Sequence, residues 1–317
     1  MRLLTCLITM LFSVSVAFAN EPERRIALTF DDIPRQRGAF LAPDERTEKL
    51  VATLKAAGVE QAAFFVNPGR LSNPDGAGGE ARIATYVAAG HVIANHSFNH
   101  KRLSEVTAEE YLTDIDATEA WLKGRAGYRP WFRFPYLDEG GPDKAKRDAV
   151  RQGLIQRQLR NGYVTADGSD WNLETLTIEA AKAGKEMDIE ALRKLYVASQ
   201  MSGVEYHDEL ARRTLGRSPA HVLLLHETDL AALFIGDLVA ELKRHGWTII
   251  TADEAFADPV GKLEPDVPHS AGTVIGSVAW QNDVEPPLWP IWMSTGMVQF
   301  LFERRVIKNS PETAAKK

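Results

Sequence analysis

The sequence predicts an α/β fold, a β/α barrel either closed or incomplete, and three observations predict it. Seven short apolar runs rich in β-forming residues recur along the 317 residues, with amphipathic segments between them. That alternation is expected of a parallel sheet wrapped by helices. The polar residues best suited to chemistry fall at the ends of those runs, where barrels of this kind gather functional groups. Length and a 44% hydrophobic content suffice for one large core, since single barrels commonly reach ~250 residues.

The predicted strands are 26–30, 62–66, 91–95, 131–134, 163–165, 221–225 and 248–250. Helices are predicted over 44–57, closed by Gly58, over 80–89, closed by Gly90, over 107–123, and over 235–245, ending at Gly246. Two regions break the rhythm. Residues 173–216 are mostly helical in composition and too long for a simple connection, so they read as a helical insertion before the sixth strand. From Gly261 the chain becomes loop-like, with Pro265, Pro268, Pro286, Pro287 and Pro290, then a patch of Trp289, Trp292, Met293, Met297, Phe300, Leu301 and Phe302. This C-terminal extension, 261–317, reads first as a tail packed on the barrel and second as a contact for glycan or a membrane surface. There is no internal repeat.

The amino terminus sets the expected compartment. Arg2 precedes an almost uncharged apolar run over residues 3–18 that ends in Ala17-Phe18-Ala19, the layout of a secretory signal with a small-residue cleavage site. The run is shorter than the ~20 residues a spanning helix needs. Export to the periplasm or medium is therefore expected, with residues 1–19 removed and a main domain over 20–260. The one cysteine, Cys6, lies inside the leader, so the mature fold would rest on its core without disulfides. The net charge of −6 becomes −7 once Arg2 is gone, which argues against nucleic acid as a partner.

Asp31-Asp32 follows the first strand, His96 and His100 the third, Asp167 and Asp170 the fifth, and His226 the sixth; Arg133 sits one residue short of the end of the fourth. Each alone has an ordinary structural explanation: an Asp-Asp pair caps or turns, an Asp-Gly step turns, and a histidine closing an apolar strand often packs. On a helix, histidines four apart project to one side and two imidazoles could share an ion. The joint arrangement makes one cup from residues distant in sequence.

Thr29-Phe30-Asp31-Asp32, His96-Ser97-Phe98-Asn99-His100, Arg133-Phe134-Pro135-Tyr136, Asp167-Gly168-Ser169-Asp170-Trp171 and Leu223-Leu224-Leu225-His226 resemble, in order and spacing, the five motifs of the polysaccharide deacetylases with the NodB homology domain, carbohydrate esterase family four. The resemblance spans residues 26–258. It implies a distorted β/α barrel and a divalent ion, zinc first and cobalt or a similar ion as the alternative. By that resemblance Asp32, His96 and His100 hold the metal, leaving positions for water and substrate, Asp31 is the general base, and His226 the general acid. It also implies that Arg133 orients the base, and that a backbone N–H near Tyr136 helps stabilise the oxyanion. Asp167 is assigned as the carboxylate holding His226, with Asp170 as the alternate; Tyr136, Trp171 and Asp170 are assigned to substrate, Trp171 as a wall for a sugar ring. Two departures stand out: the long 173–216 segment between the last two motifs, and Pro34 where many relatives carry glycine. Of the histidines outside the motifs, His207 in the insertion is the one to place relative to the site.

The implied substrate is an acetylated polysaccharide, with N-acetyl groups of a peptidoglycan or poly-N-acetylglucosamine type favoured. O-deacetylation of an acetylated xylan, and a silent glycan-binding protein, are the alternatives. The silent reading sits poorly with a chain that keeps base, metal ligands, arginine and acid together. Membrane contact is compatible with the sequence and not required by it.

Overall fold

A computed structural model describes residues 23–288 and 294–308. The expected leader, Cys6, Trp289, Trp292 and Met293 lie outside the described residues. In chain order the elements are β1 (Arg24–Ile33), α1 (Pro43–Ala56), β2 (Ala63–Val66), α2 (Gly79–Ala88), β3 (Val92–Asn95), α3 (Ala108–Leu122), β4 (Tyr128–Phe132), β5 (Asp138–Gly141), α4 (Lys144–Gln156), β6 (Arg160–Asn161), β7 (Ala166–Asp167), α5 (Asp170–Lys182), α6 (Ile189–Leu215), β8 (Ala220–His226), α7 (Asp229–Arg244), β9 (Trp247–Ile249), α8 (Ala252–Ala255), β10 (Ser270–Ala271), α9 (Val274–Gln281) and α10 (Thr295–Arg305).

The main sheet runs β6-β4-β3-β2-β1-β8-β7, with β9 beside the start of β1, and its strands are parallel. β6 on one edge and β7 on the other belong to a single segment, so residues 160–167 leave β4 and arrive at β8. The sheet thereby curls back on itself through an irregular stretch, which makes the expected distorted barrel. The strand predicted over 163–165 falls in this bridge; Thr165 N donates to the Val222 carbonyl at 3.1 Å, but the ladder is short. The fourth strand lies earlier than predicted, ending at Phe132, so Arg133 sits just past it.

Alternation along the strands places the chemistry. On β1, Ile26, Leu28 and Phe30 join the cluster under the helices, with Phe64, Val66, Leu223 and Leu225. Ala27 faces inward with Ala63, Ala94, Phe65, Trp131 and Tyr163. Thr29 and Asp31 share the parity of Ala27, so Asp31 reaches the barrel mouth from the inner face. Small inner residues at the base leave room for the large rings that fill a tapered interior.

The helices form where capping and burial agree. Thr107 and Glu110 make a reciprocal capping box at the start of α3, and Gly216, at φ +69, ends the 27-residue α6 in the left-handed conformation that glycine adopts without strain. α7 begins at Asp229, well before the predicted 235, because Leu230, Ala231, Ala232 and Phe234 are all buried and leave no amphipathic period to read. The region 173–216 is α5 and α6, packed against α7 and β7. Beyond Gly261 the chain is more ordered than a loop: α9 buries Ile275 and Val278, and α10 buries Val298 and Phe302 on α5 and α6. Each such side chain contributes about 1.5–3 kcal/mol. Phe300 and Met297 stay exposed. Among the described residues no helix is long and apolar enough to cross a membrane.

One buried carboxyl ties the helical segment to the barrel. Glu174 on α5, 2% exposed, accepts from Asp229 N at 3.2 Å and Leu230 N at 3.3 Å, capping α7. Burial, reinforced by the Asp229 charge and opposed by Arg35 and the two N–H groups, pushes its pKa from 4.5 up to about 7. The native state therefore binds a proton that the unfolded chain has released, and this stabilisation is present below the unfolded pKa and lost as pH rises through about 7. Glu174→Gln, which cannot ionise, should lack the parent's fall in stability of about 3 kcal/mol as pH rises through about 7, so that the difference between variant and parent changes with pH. Urea midpoints across pH measure it; an unchanged difference at both extremes would contradict the protonation argument.

Candidate active site

The carboxyl ends of β1, β3, β4, β7 and β8 surround a cavity of about 420 Å³ lined by Asp31, Asp32, His96, His100, Tyr136, Asp167, Trp171 and His226. The chain takes unusual backbone there. Asp32, Ser97, His100, Tyr136, Leu137 and Ser169 all have φ between 52° and 74°, a region that costs a non-glycine residue on the order of 1–3 kcal/mol and persists where surrounding structure enforces it.

His96 and His100 do not share a helix. The segment is a turn, stabilised by His100 N donating to Ser97 Oγ at 3.0 Å and by Ser97 N donating to Asn95 Oδ1 at 2.8 Å. The spacing of four works because two left-handed residues fold the chain back, with ring centroids 5.0 Å apart. Asn67 from β2's end donates to the Ser97 carbonyl at 3.0 Å, and Asp114 on α3 accepts from Asn99 N at 2.9 Å. Sequence reading missed both anchors.

Asp32, His96 and His100 converge, their ligating atoms all within 4.8 Å of one another. Asp32 Oδ1 lies 2.9 Å from His100 Nε2 and 3.7 Å from His96 Nε2. Ligand atoms on a tetrahedral ion with ~2.1 Å bonds stand about 3.4 Å apart, so the set is the right size. Its electronic state also fits. Burial holds His96 down to about 4, against the pull of Asp31 and Asp32. Its Nδ1 faces the Arg133 carbonyl at 2.9 Å, which can only accept, so the hydrogen is on Nδ1 and the Nε2 lone pair faces the cluster. Burial raises the Asp32 pKa but is outweighed by Arg70, by His100 and by Arg35, leaving it well below the carboxylate range. Asp32 Oδ1, buried and without a well-formed hydrogen bond, is the oxygen the histidines surround. The residues fit a divalent cation.

Asp31 stands beside this set. Arg133, fully buried, donates from NH1 to Asp31 Oδ1 at 2.7 Å and to Thr29 Oγ1 at 2.7 Å, and from Nε to the Gly162 carbonyl at 2.6 Å. Oδ1 is thus occupied. Oδ2 lies 3.6 Å from His96 Nε2, on the metal side.

The partner of His226 is Asp170, which corrects the assignment to Asp167. Asp170 Oδ1 accepts from His226 Nδ1 at 2.7 Å, and Oδ2 accepts from His226 N at 2.7 Å. Asp170 is fully buried, so its assignment to substrate is corrected as well. The reason is local: Asp167 turns its Oδ1 onto Ser169 N at 2.7 Å, and Ser169, at φ +57, starts α5 so that Asp170 points back at β8. Burial lowers the His226 pKa, but the Asp170 charge and hydrogen bond outweigh it and raise it overall. Asp167 lines the cavity, and burial pushes it up to about 6. Asp31 and His226 are register partners on β1 and β8, so base and acid candidates sit on adjacent strands.

Tyr136 and Trp171, 53% and 41% exposed, stand at the mouth rather than in the core. Tyr136 lies 4.5 Å from the His100 ring. His207 is buried on α6 with Nδ1 on the Gly203 carbonyl, away from the cavity lining. The cavity also holds Arg35, Arg70 and Arg102, which sequence reading passed over. Arg70 follows β2 as the recognised residues follow their strands, so the same rule would have found it.

Comparison with known proteins agrees. The family model described as polysaccharide deacetylase matches residues 19–155. A peptidoglycan-N-acetylglucosamine deacetylase of Bacillus cereus is 37% identical over 241 residues, covering 73% of this chain and 68% of that protein. The peptidoglycan-N-acetylglucosamine deacetylase PgdA of Listeria monocytogenes is 24% identical over 236 residues, 74% of this chain but 39% of that protein. The crystal structure of wild-type BA3943 from Bacillus anthracis, a CE4 family pseudoenzyme, has a similar fold, with a TM-score of 0.51 at 17% identity over 74% of this chain and 65% of that one. On the strength of the Bacillus cereus relative, the chain belongs to the polysaccharide deacetylase family.

Proposed function

We propose that this chain is an exported, metal-dependent hydrolase that removes N-acetyl groups from an extracytoplasmic polysaccharide of the peptidoglycan or poly-N-acetylglucosamine type, releasing acetate. The observation that carries the reading is the flanking of one donor set, Asp32, His96 and His100, by a carboxylate backed by a cation and a histidine backed by an anion. The Bacillus cereus relative's name supports the N-acetylglucosamine substrate, and the apolar leader ending at Ala19 supports export.

A divalent cation at the donor set, zinc by the nature of two imidazoles and one carboxylate, supplies Lewis acidity for the acyl oxygen and lowers the pKa of water. The residues do the rest. Asp31 Oδ2 takes the proton of the attacking water as the new C–O bond forms, while Arg133 fixes the carboxylate through Oδ1. A backbone N–H near Tyr136 is assigned to the developing oxyanion. His226, protonated on Nδ1 toward Asp170, gives the proton on Nε2 to the amine nitrogen as the C–N bond breaks. Acetate and a free amine result. Trp171 offers a flat face to a sugar ring at the mouth, where the Tyr136 ring is flanked by the Arg102 guanidinium at 3.7 Å and the His100 ring at 4.5 Å.

Three outcomes test this. Asp31→Asn should keep the bound metal, by elemental analysis, while kcat for acetate release falls about 10²–10⁴-fold; a variant as active as its parent would remove Asp31 from the role of base. His96→Ala should lose both metal and turnover. Asp170→Asn removes the anion that raises His226, so the alkaline limb of the pH–rate profile should move to lower pH. An unmoved limb would assign that limb to another group.

A further inference from the structure

Between β1 and α1 the chain passes the mouth of the cavity as residues 34–42, and Arg35 is the member of that loop that lines the cavity. Arg35 NH1 donates to Asp32 Oδ2 at 2.7 Å. Arg70 NH2 comes within 3.0 Å of Asp32 Oδ1 without a well-formed hydrogen bond, so Arg35 is the guanidinium that fixes the plane of this carboxylate. With Oδ2 held, Oδ1 is the oxygen turned toward His96 and His100.

A long side chain on a surface loop is ordinarily mobile. This loop is braced from beneath by three charged residues that do not line the cavity: Arg46 on α1, and Glu227 and Asp229, one and three residues beyond His226. All three are at most 1% exposed. Arg46 donates from NH2 to the Arg35 carbonyl at 2.7 Å and from NH1 to the Gln36 carbonyl at 2.9 Å. Glu227 Oε2 accepts from Arg35 N at 2.9 Å. Asp229 Oδ2 accepts from Phe40 N at 2.7 Å and from Leu41 N at 2.9 Å. The three also hold one another: Arg46 NH1 lies 3.3 Å from Asp229 Oδ1, and its Nε lies 3.5 Å from Glu227 Oε1, which accepts from Tyr86 Oη at 2.8 Å. Gly38 sits so close to the Asp229 carboxylate that an added Cβ would collide with it. Both the N–H and the carbonyl of Arg35 are therefore captured, and its side chain leaves for Asp32 from a set point. Glu227 N donates to the Asp31 carbonyl at 3.3 Å, which registers the same brace against the strand that carries base and ligand.

Buried charges are costly to desolvate and add little net stability over apolar replacements. We propose that what this cluster supplies is position: Arg46, Glu227 and Asp229 are positioning residues for the metal site, setting the loop so that Arg35 orients Asp32 with Oδ1 toward the cation. This rests on the metal-site part of the reading above and not on the substrate. The test is the zinc dissociation constant of the full chain after metal removal, measured by competition with a chromophoric chelator, with urea midpoints alongside. Lysine in place of arginine keeps the charge near the cation, so a change in affinity reads orientation. Arg35→Lys and Arg46→Lys should each weaken zinc binding about tenfold, the lower end of the range for loss of a group that orients a metal ligand. The double variant should be no weaker than Arg35→Lys alone, because Arg46 acts through Arg35. Gly38→Ala removes no hydrogen-bonding group and only pushes the loop off Asp229. It should weaken zinc about as much as Arg46→Lys, again with no further effect over Arg35→Lys, and it carries the test if Arg46→Lys does not fold. A cluster that served stability alone would lower the urea midpoint in these variants with zinc affinity unchanged. That result overturns the proposal, as does full additivity in the double variants. A parent that binds no zinc removes the metal site and the proposal together, whereas a parent that binds zinc but releases acetate from no glycan sinks the deacetylase reading and leaves the brace to be judged by the zinc affinities.

Discussion

The site depends on one buried ion pair, Arg133 to Asp31 across the barrel interior. Arg133 is fully buried and Asp31 only 3% exposed, so neither charge has water to fall back on. A buried pair adds little net stability over a hydrophobic replacement, but loss of one partner strands the other at a cost of about 3–5 kcal/mol. What the pair supplies is position. The guanidinium spends its donors on the Gly162 and Tyr163 carbonyls, Thr29 Oγ1 and Asp31 Oδ1, and its face lies 3.9 Å from the Phe65 ring centroid. One side chain thus ties the end of β4 to β1, to the ring from β2 and to the irregular bridge between β6 and β7, where ladder hydrogen bonds are few.

The same bridge explains why the acid's partner lies where it does. A barrel that closes through regular strands would carry its fifth strand straight to the mouth, with the first aspartate after it facing the sixth. Here only Ala166 and Asp167 pair with β8, and the chain turns at Ser169 before α5 starts. That turn moves the contact three residues onward, to a fully buried Asp170 that holds both the backbone and the ring of His226. Asp167 is left at the cavity wall. The long helical segment is not a detached addition, because α6 packs on β7 and Gly203 approaches the Asp167 carbonyl so closely that an added Cβ would lie 2.2 Å from it.

What was legible in the sequence was whatever repeats with a local period or follows a strand. β1, β2, β3 and β8 contain apolar runs of β-formers, and the ligands and acid stand one to five residues beyond the runs 26–30, 91–95 and 221–225, with Asp32 and His226 still inside the observed strands, so both were readable. α4 was not: Val150 and Leu154 are its main buried apolar residues, and the rest of the segment reads as a charged loop. α9 and α10 hide behind prolines in composition, though each has a buried apolar stripe. The turn that joins His96 to His100 depends on left-handed residues, Ser97 and His100, that no periodicity signals. The choice between Asp167 and Asp170 depends on one backbone dihedral at Ser169, which lies below what spacing can resolve.

The two proton-handling groups are set up by opposite means from the same scaffold. Asp31 faces a fixed cation on one oxygen and offers the other; His226 faces a fixed anion on one nitrogen and offers the other. Each has its back secured by a fully buried partner, so its free atom is the one that points into the cavity. Reversing the partners would put a cation behind an imidazole that must hold a proton and an anion behind a carboxylate that must accept one, and both functions would be lost. Separation of acid from base by buried counter-charges is a general way for one site to hold both forms at a single pH. It also explains why Arg133 and Asp170 are fully buried: a partner accessible to water would be screened and could not enforce the difference.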